Sequence, residues 1–452
     1  MLGIIGLILG IAALIFISYR GLHAVPTSLI CSIIILVLNG INIWTGASTW
    51  LAGLTAVYTN YFLLFLFSTL YANVMQETHA CNAIAYKLMD WFGKKHIITV
   101  LIILSFILCY GGISFFVIMF AIGPICFAVF KEMNAPRYCI NLVVSSGVGA
   151  FVLAAPGTTQ IQNVIPTTFL GTTMWAAGGL GWIMTAIGLI SSIVISEIWF
   201  KKIMAKVNAG EIEGYTPHPA GTDAPAVPRE ETPKAICGFA PIIVVVALVV
   251  LGSAFKWFDG VANNIAIIAM LAGTIICVLL NLEQFKKEMA KNNLKTYDMF
   301  KKITASAAVQ ASGSALTLGA VVGFGTIVGA TAAFQKIVTW LLSLNMSTYW
   351  KAIISTGVIA GIAGSASSGE RLTFTYLADY FVNSGVNLNV LHRLIANASI
   401  TFDALPHATG CFLMFSYFGV NHKNSYKYVW WLNVVLPVII VVIFTAICSA
   451  IY

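Results

Sequence analysis

Apolar runs follow one another along the chain with short polar breaks. Runs long enough to cross a bilayer, roughly 17–25 residues, lie near 2–18, 24–43, 50–75, 139–168, 175–199, 237–254, 261–281, 303–333, 391–417 and 428–450. The pattern predicts an all-α polytopic membrane protein. Leu2 to Ser18 has no basic residue before it and no small-residue cleavage site after it, so it is expected to be a spanning helix and not a cleaved signal. Two more apolar stretches, 97–130 and 351–382, are too long for one span and are interrupted near the middle. The first break is Tyr110-Gly111-Gly112-Ile113-Ser114, and the second is the Gly/Ala/Ser stretch Gly361 to Gly369. Both are expected to be helical hairpins with tips inside the protein, since non-helical backbone at membrane depth needs protein or a water-filled cavity around it.

A short signature recurs at matched spacing. Lys87 and Trp91 form a K-x-x-x-W that precedes Pro156-Gly157-Thr158-Thr159, with 69 positions from Lys87 to Pro156. Lys336 and Trp340 repeat it ahead of Pro406-His407-Ala408-Thr409, with 70 positions from Lys336 to Pro406. A duplicated unit with helix breakers at equivalent places is a common transporter plan. The expected organisation is a first repeat, 1–200, with spans 1–5 and the hairpin 97–130. A Pro-rich cytoplasmic linker, 201–236, comes next. A second repeat, 237–452, holds spans 6–10 and the hairpin 351–382.

Charge orients this array. Hydrophobic residues make up 59% of the chain and charged residues 9%, against about 25% charged in soluble domains, so lipid must be the solvent. The net charge of +8 sits in short loops and reads as the positive-inside bias rather than as a nucleic-acid footprint. It places both termini outside a cell membrane. Five spans and a hairpin per half would then invert the second copy relative to the first. The basic stretch 282–302, with Phe285, Met289, Tyr297 and Phe300 as an apolar stripe, is expected to lie on the inner leaflet. The nine cysteines form no C-x-x-C pair and read as small hydrophobes. No catalytic or nucleotide-binding signature is present. The chain is not expected to be an enzyme, nor to need a cofactor or metal.

Candidate chemistry concentrates at the breaks. Gly111, Gly112 and Ser114 at the first tip, and Ser365, Ser367 and Ser368 at the second, can bring backbone close to a ligand and point N–H groups at an anion. Arg371 can grip a carboxylate, or pair locally with Glu370 or Asp379. Thr158, Thr159, Gln160, Asn163 and Thr409 can hydrogen-bond a hydroxylated solute or glue helices together. Asp403 and His407 flank Pro406 and can carry protons, with sodium the second choice of coupling ion. Asp379, His392 and Arg393 are expected nearer the outer end of the second hairpin.

Ala404-Leu405-Pro406-His407-Ala408-Thr409-Gly410, the run Tyr417 to Lys427 (YFGVNHKNSYK) and the run Val321 to Val328 (VVGFGTIV) together resemble the gluconate-permease-type (GntP) transporters. The resemblance implies inverted repeats with paired re-entrant hairpins, a scaffold-plus-transport-domain homodimer in membrane lipid and elevator motion. It also implies a small organic anion as substrate, such as gluconate or 3-hydroxybutyrate, typically moved with protons. A sodium-coupled carboxylate or amino-acid transporter and a passive facilitator are the alternatives.

Overall fold

The computed structural model describes residues 2–149, 151–219, 227–255, 257 and 262–452. Twenty α-helices make up its regular structure, with no strand among the described residues. Nine helical segments are long and apolar enough to cross a membrane, or ten if one bent pair counts as a span. Large apolar side chains cover the outer surface, among them Ile8, Phe16, Trp44 and Ile190. A polytopic membrane protein is the fold class this establishes.

The first half runs α1 (Leu2–Tyr19), α2 (Ala24–Leu38), α3 (Ile43–Glu77), α4 (Ala80–Phe92), α5 (Ile97–Tyr110), α6 (Phe115–Glu132), α7 (Ile140–Gly149), α8 (Ile161–Leu170) and α9 (Gly178–Asn208). The second runs α10 (Ala235–Ala254), α11 (Ala262–Leu280), α12 (Leu282–Lys291), α13 (Thr296–Ala330), α14 (Ala332–Ser343), α15 (Thr348–Ala363), α16 (Ala366–Asn383), α17 (Leu388–Ser399), α18 (Thr409–Phe418), α19 (His422–Val429) and α20 (Leu436–Ile451), with a π-helical segment joining the last two. Side chains start several of these helices. Asn42 caps α3, Thr331 caps α14, Asn387 caps α17, and Asn421 with Asn424 forms a capping box on α19.

At the centre, α3 and α13 pack along each other, each 35 residues and so about 52 Å long. The pairing is antiparallel. Gly53 meets Gly323 at one end, Tyr58 donates to the Ser312 carbonyl, Thr69 to the Ala307 carbonyl, and Lys302 pairs with Glu77 at the other end. A Cβ on Gly323 would lie 2.7 Å from the Trp50 carbonyl oxygen. The small residues of 305–333 are there for close packing, as their composition suggests.

The elements differ from expectation in three places. Both K-x-x-x-W motifs sit on helices that the apolar pattern did not predict, α4 and α14. There the four-residue spacing puts Lys87 Nζ 5.2 Å from the Trp91 ring centre. The 282–302 stretch is not one interfacial helix. It ends as α12 at Lys291, and Tyr297 and Phe300 belong to the start of α13. The buried face of α12 carries Gln284 and Glu288, because Glu288 reaches His79 Nε2 at 2.9 Å. The connection after α9 is strapped down at its described ends. Tyr215 N–H donates to Asn134, Val227 is buried with its carbonyl bonded to Tyr86, and Arg229 pairs with Asp90 at 2.8 Å.

Candidate substrate and coupling site

Two helical hairpins and two broken helices build the site. In the first hairpin, α5 stops at Tyr110 and α6 starts at Phe115, with Gly112 at φ +94° in the turn. In the second, the break is shorter than the Gly/Ser run suggests. Only Gly364, left-handed at φ +63°, and Ser365 interrupt it. Ser367 and Ser368 are the second and third residues of α16 and do not lie in an unwound tip, because Ser365 already caps that helix through the Ser368 N–H at 3.5 Å. The broken helices are α7–α8, interrupted around Pro156, and α17–α18, interrupted around Pro406.

The first hairpin tip is tied to the first break. Tyr110 Oη donates to the Pro156 carbonyl at 3.1 Å, and Thr158 Oγ1 to the Tyr110 carbonyl at 3.3 Å. Gln160 Nε2 donates to the carbonyls of Cys109 at 2.8 Å and Ile113 at 2.9 Å. Asn163 Nδ2 spans the break to the carbonyls of Thr158 and Met174, at 2.8 and 3.1 Å. Three of the residues expected to read substrate hydroxyls therefore satisfy backbone. Thr159 differs: its side chain is exposed and has no partner among the described residues. The Ser114 hydroxyl at the tip is also unbonded.

His392 and Arg393 do not lie at the outer end of the hairpin. Both are fully buried on α17 and wedge into the first break. The Arg393 guanidinium donates to the carbonyls of Ala154, Met174 and Ala176 and to Asn163 Oδ1. His392 Nε2 donates to the same Asn163 oxygen at 3.1 Å, while Nδ1 receives Thr172 Oγ1 at 2.7 Å. A Cβ on Gly181 would sit 2.5 Å from Pro156 and 2.8 Å from Arg393 Nε, so only glycine lets α9 approach this wedge. Free carbonyls around a proline break need donors when water is excluded, and one arginine supplies them to three residues.

The second tip is tied to the second break in the same manner. Thr409 donates to the Gly364 carbonyl through N–H at 3.1 Å and through Oγ1 at 3.2 Å. His407 Nε2 donates to the Gly361 carbonyl at 2.7 Å, which leaves buried Nδ1 as an unbonded acceptor. His422 Nε2 and Tyr426 Oη hold the carbonyls of Pro406 and Ala404, at 2.8 and 3.0 Å. Asp403 lies against the Ala366 N–H, the first of α16. Asp403 and His407 share no hydrogen bond or ion pair. Each reaches the hairpin separately, since Pro406 prevents the helix that would have aligned them.

The two halves meet here. The Phe115 ring lies 3.5 Å from where Gly410 would carry a Cβ, which places the first tip against the second break. Arg371 is exposed, and no ion pair or hydrogen bond to its guanidinium exists among the described residues. On the facing side, the Tyr61 ring of α3 packs edge-on against Phe116 at 5.5 Å beside the first tip. The pairing of Arg371 with Glu370 or Asp379 is absent. Sequence reasoning missed Tyr61, Phe115 and Gly410, which carry no signal except proximity. It counted Glu370 among the few ionisable groups in apolar segments but gave it no role beyond pairing with Arg371.

Residues 2–451 match the family described as GntP family permease. The uncharacterized transporter YxjC of Bacillus subtilis (strain 168) is 26% identical over 457 aligned residues, covering 93% of each protein. A transporter with a small-molecule substrate, and not an enzyme, follows from a match of that extent. The chain belongs to the GntP permease family.

Proposed function

We propose that this permease is a secondary active symporter of a small organic anion, a hydroxy-carboxylate such as gluconate or 3-hydroxybutyrate, driven by protons. The carrying observation is Arg371 on α16, an exposed guanidinium with no hydrogen bond or ion pair among the described residues. Such a group suits a carboxylate. In this reading Ser365, Ser367 and Ser368 at the start of α16 and Gly111, Gly112 and Ser114 at the other tip bind the same substrate, and Thr159 offers a hydroxyl. Thr158, Gln160, Asn163 and Thr409 serve by holding the breaks in shape. Asp403 and His407, each joining the second break to the second hairpin, take part in proton coupling.

The halves are inverted copies in this reading. Element lengths support it: α3 and α13 have 35 residues each, α6 and α16 have 18 each, and α8 and α18 have 10 each. The antiparallel packing of α3 on α13 supports it too, since equivalent helices of inverted copies run in opposite directions. With positive loops inside, both termini lie outside the cell membrane. Motion is of the elevator type within a homodimer, the hairpins moving past a fixed scaffold.

Uptake of labelled gluconate or 3-hydroxybutyrate into proteoliposomes tests this. Accumulation under an imposed pH gradient, inside alkaline, is the expected result. Accumulation only under a sodium gradient would replace the coupling ion. Equilibration without accumulation would make the protein a facilitator.

A further inference from the structure

Glu370 is a deeply enclosed acid. It has 0% exposure, and neither carboxyl oxygen has a hydrogen-bond partner among the described residues. It sits on α16 five residues past the second tip, between Gly369, which packs directly on Ala360, and the exposed Arg371. Arg371 cannot neutralise it by contact, because adjacent residues on a helix point apart.

Among the described residues the surroundings supply no other counter-charge: Asp403, at the Ala366 N–H, is itself an acid, and His407 donates to the Gly361 carbonyl. Helix α16 packs on α8, α15 and α17. Helix α8 has no titratable residue. Helix α15 has Tyr349 and Lys351 at its far end, where Lys351 Nζ lies 4.5 Å from the Tyr380 ring centre. On α17, His392 and Arg393 are committed to Asn163, Thr172 and backbone carbonyls. On α16 itself, Tyr376, Asp379 and Tyr380 are exposed. One turn further from the tip, the buried hydroxyls of Ser355 and Thr356 are also unbonded.

An ionised carboxylate in this place would be an uncompensated buried charge, which costs far more than a neutral acid. Even the neutral acid leaves its O–H without an acceptor, so the position is expensive in either form. A residue kept at such cost beside a ligand-facing turn belongs to the working cycle. We propose that Glu370 is a proton-carrying residue of this transporter, adding a third group to Asp403 and His407. It takes up a proton while the site is open to the outer side, keeps it while the second hairpin is closed around substrate, and gives it up when the site opens to the inner side. In the filling step a carboxylate oxygen takes H⁺ from water on the outer side and forms the acid O–H. In the emptying step that bond breaks and H⁺ passes to water on the inner side. The carried proton offsets the charge of a monoanionic substrate, and Arg371 beside it holds that substrate. This rests on the symport reading above.

The test compares full-length wild type with Glu370→Gln in proteoliposomes, measuring two quantities. Counterflow exchanges labelled for unlabelled 3-hydroxybutyrate or gluconate without net proton movement, and should stay within about twofold of wild type. Accumulation under a one-unit pH gradient should fall by the roughly tenfold that one coupled proton is worth. A Glu370→Gln protein that accumulates substrate as wild type does overturns the proposal. If the variant does not fold, wild-type protein treated with a hydrophobic carbodiimide, which reacts with acids in apolar surroundings, answers instead by peptide mass mapping. Modification of Glu370 that fades at alkaline pH is expected, and an unmodified Glu370 counts against it. Wild type that moves neither acid would defeat the symport reading, while the carbodiimide result would still report on Glu370.

Discussion

The two breaks use the same device and end in different chemical states. Around Pro156 the polar groups are largely spent, with Ser114, Thr159 and the Gln162 oxygen as uncharged exceptions. Gln160 and Asn163 donate to four carbonyls, and Arg393 with His392 covers the rest. Around Pro406 and the second tip several groups remain open: the Glu370 carboxyl, His407 Nδ1 and the Arg371 guanidinium. The first break is therefore a braced frame, and the second holds the reactive inventory. In the proposed inverted-repeat reading, Met119 and Phe120 on α6 stand roughly where Glu370 stands on α16.

This contrast can be broken most severely at Arg393. Arg393→Ala leaves three carbonyls and the Asn163 oxygen short of their charged donor, so it should cost about 3 kcal/mol or more. A large fall in the detergent unfolding midpoint is expected, and an unchanged midpoint would mean the first break is not braced as described. Gly323→Leu in the central seam should cost about 1–3 kcal/mol by overpacking, visible in the same melt. Arg371→Ala should do the reverse of Arg393→Ala. Its midpoint should move by no more than about 0.5 kcal/mol, while KM for the anion rises about tenfold, near 1.4 kcal/mol. Arg371→Lys should recover part of that loss, since charge survives without the planar fork. Thr159→Val should have the smallest effect, about a threefold weaker KM at the low end of a net hydrogen bond, with stability unchanged. A larger effect at Thr159 than at Arg371 would reverse the assignment of roles to the two halves.

Much of this was legible in the sequence, for identifiable reasons. Glycine and proline mark breaks wherever they fall in apolar runs, so the turns at Gly111–Ser114, Pro156 and Pro406 could be read directly. Helices α4 and α14 escaped because they are amphipathic, and a spanning-length apolar window passes over them. Arg393 was misplaced because its acceptors lie more than 200 positions away in sequence at Ala154, Met174 and Ala176, and no local pattern encodes them. Glu370 could have been found. Neighbours at i and i+1 on a helix do not face each other, so an ion pair with Arg371 was already excluded by geometry.

The glycine seam between α3 and α13 limits how this molecule can move. Backbones that touch, with Gly323 against the Trp50 carbonyl and Gly53 against Gly323, cannot slide lengthwise without climbing over each other's peptide groups. Whatever shifts a bound solute from one side of the lipid to the other must leave this post standing, and the travel has to be made by the elements that lean on it.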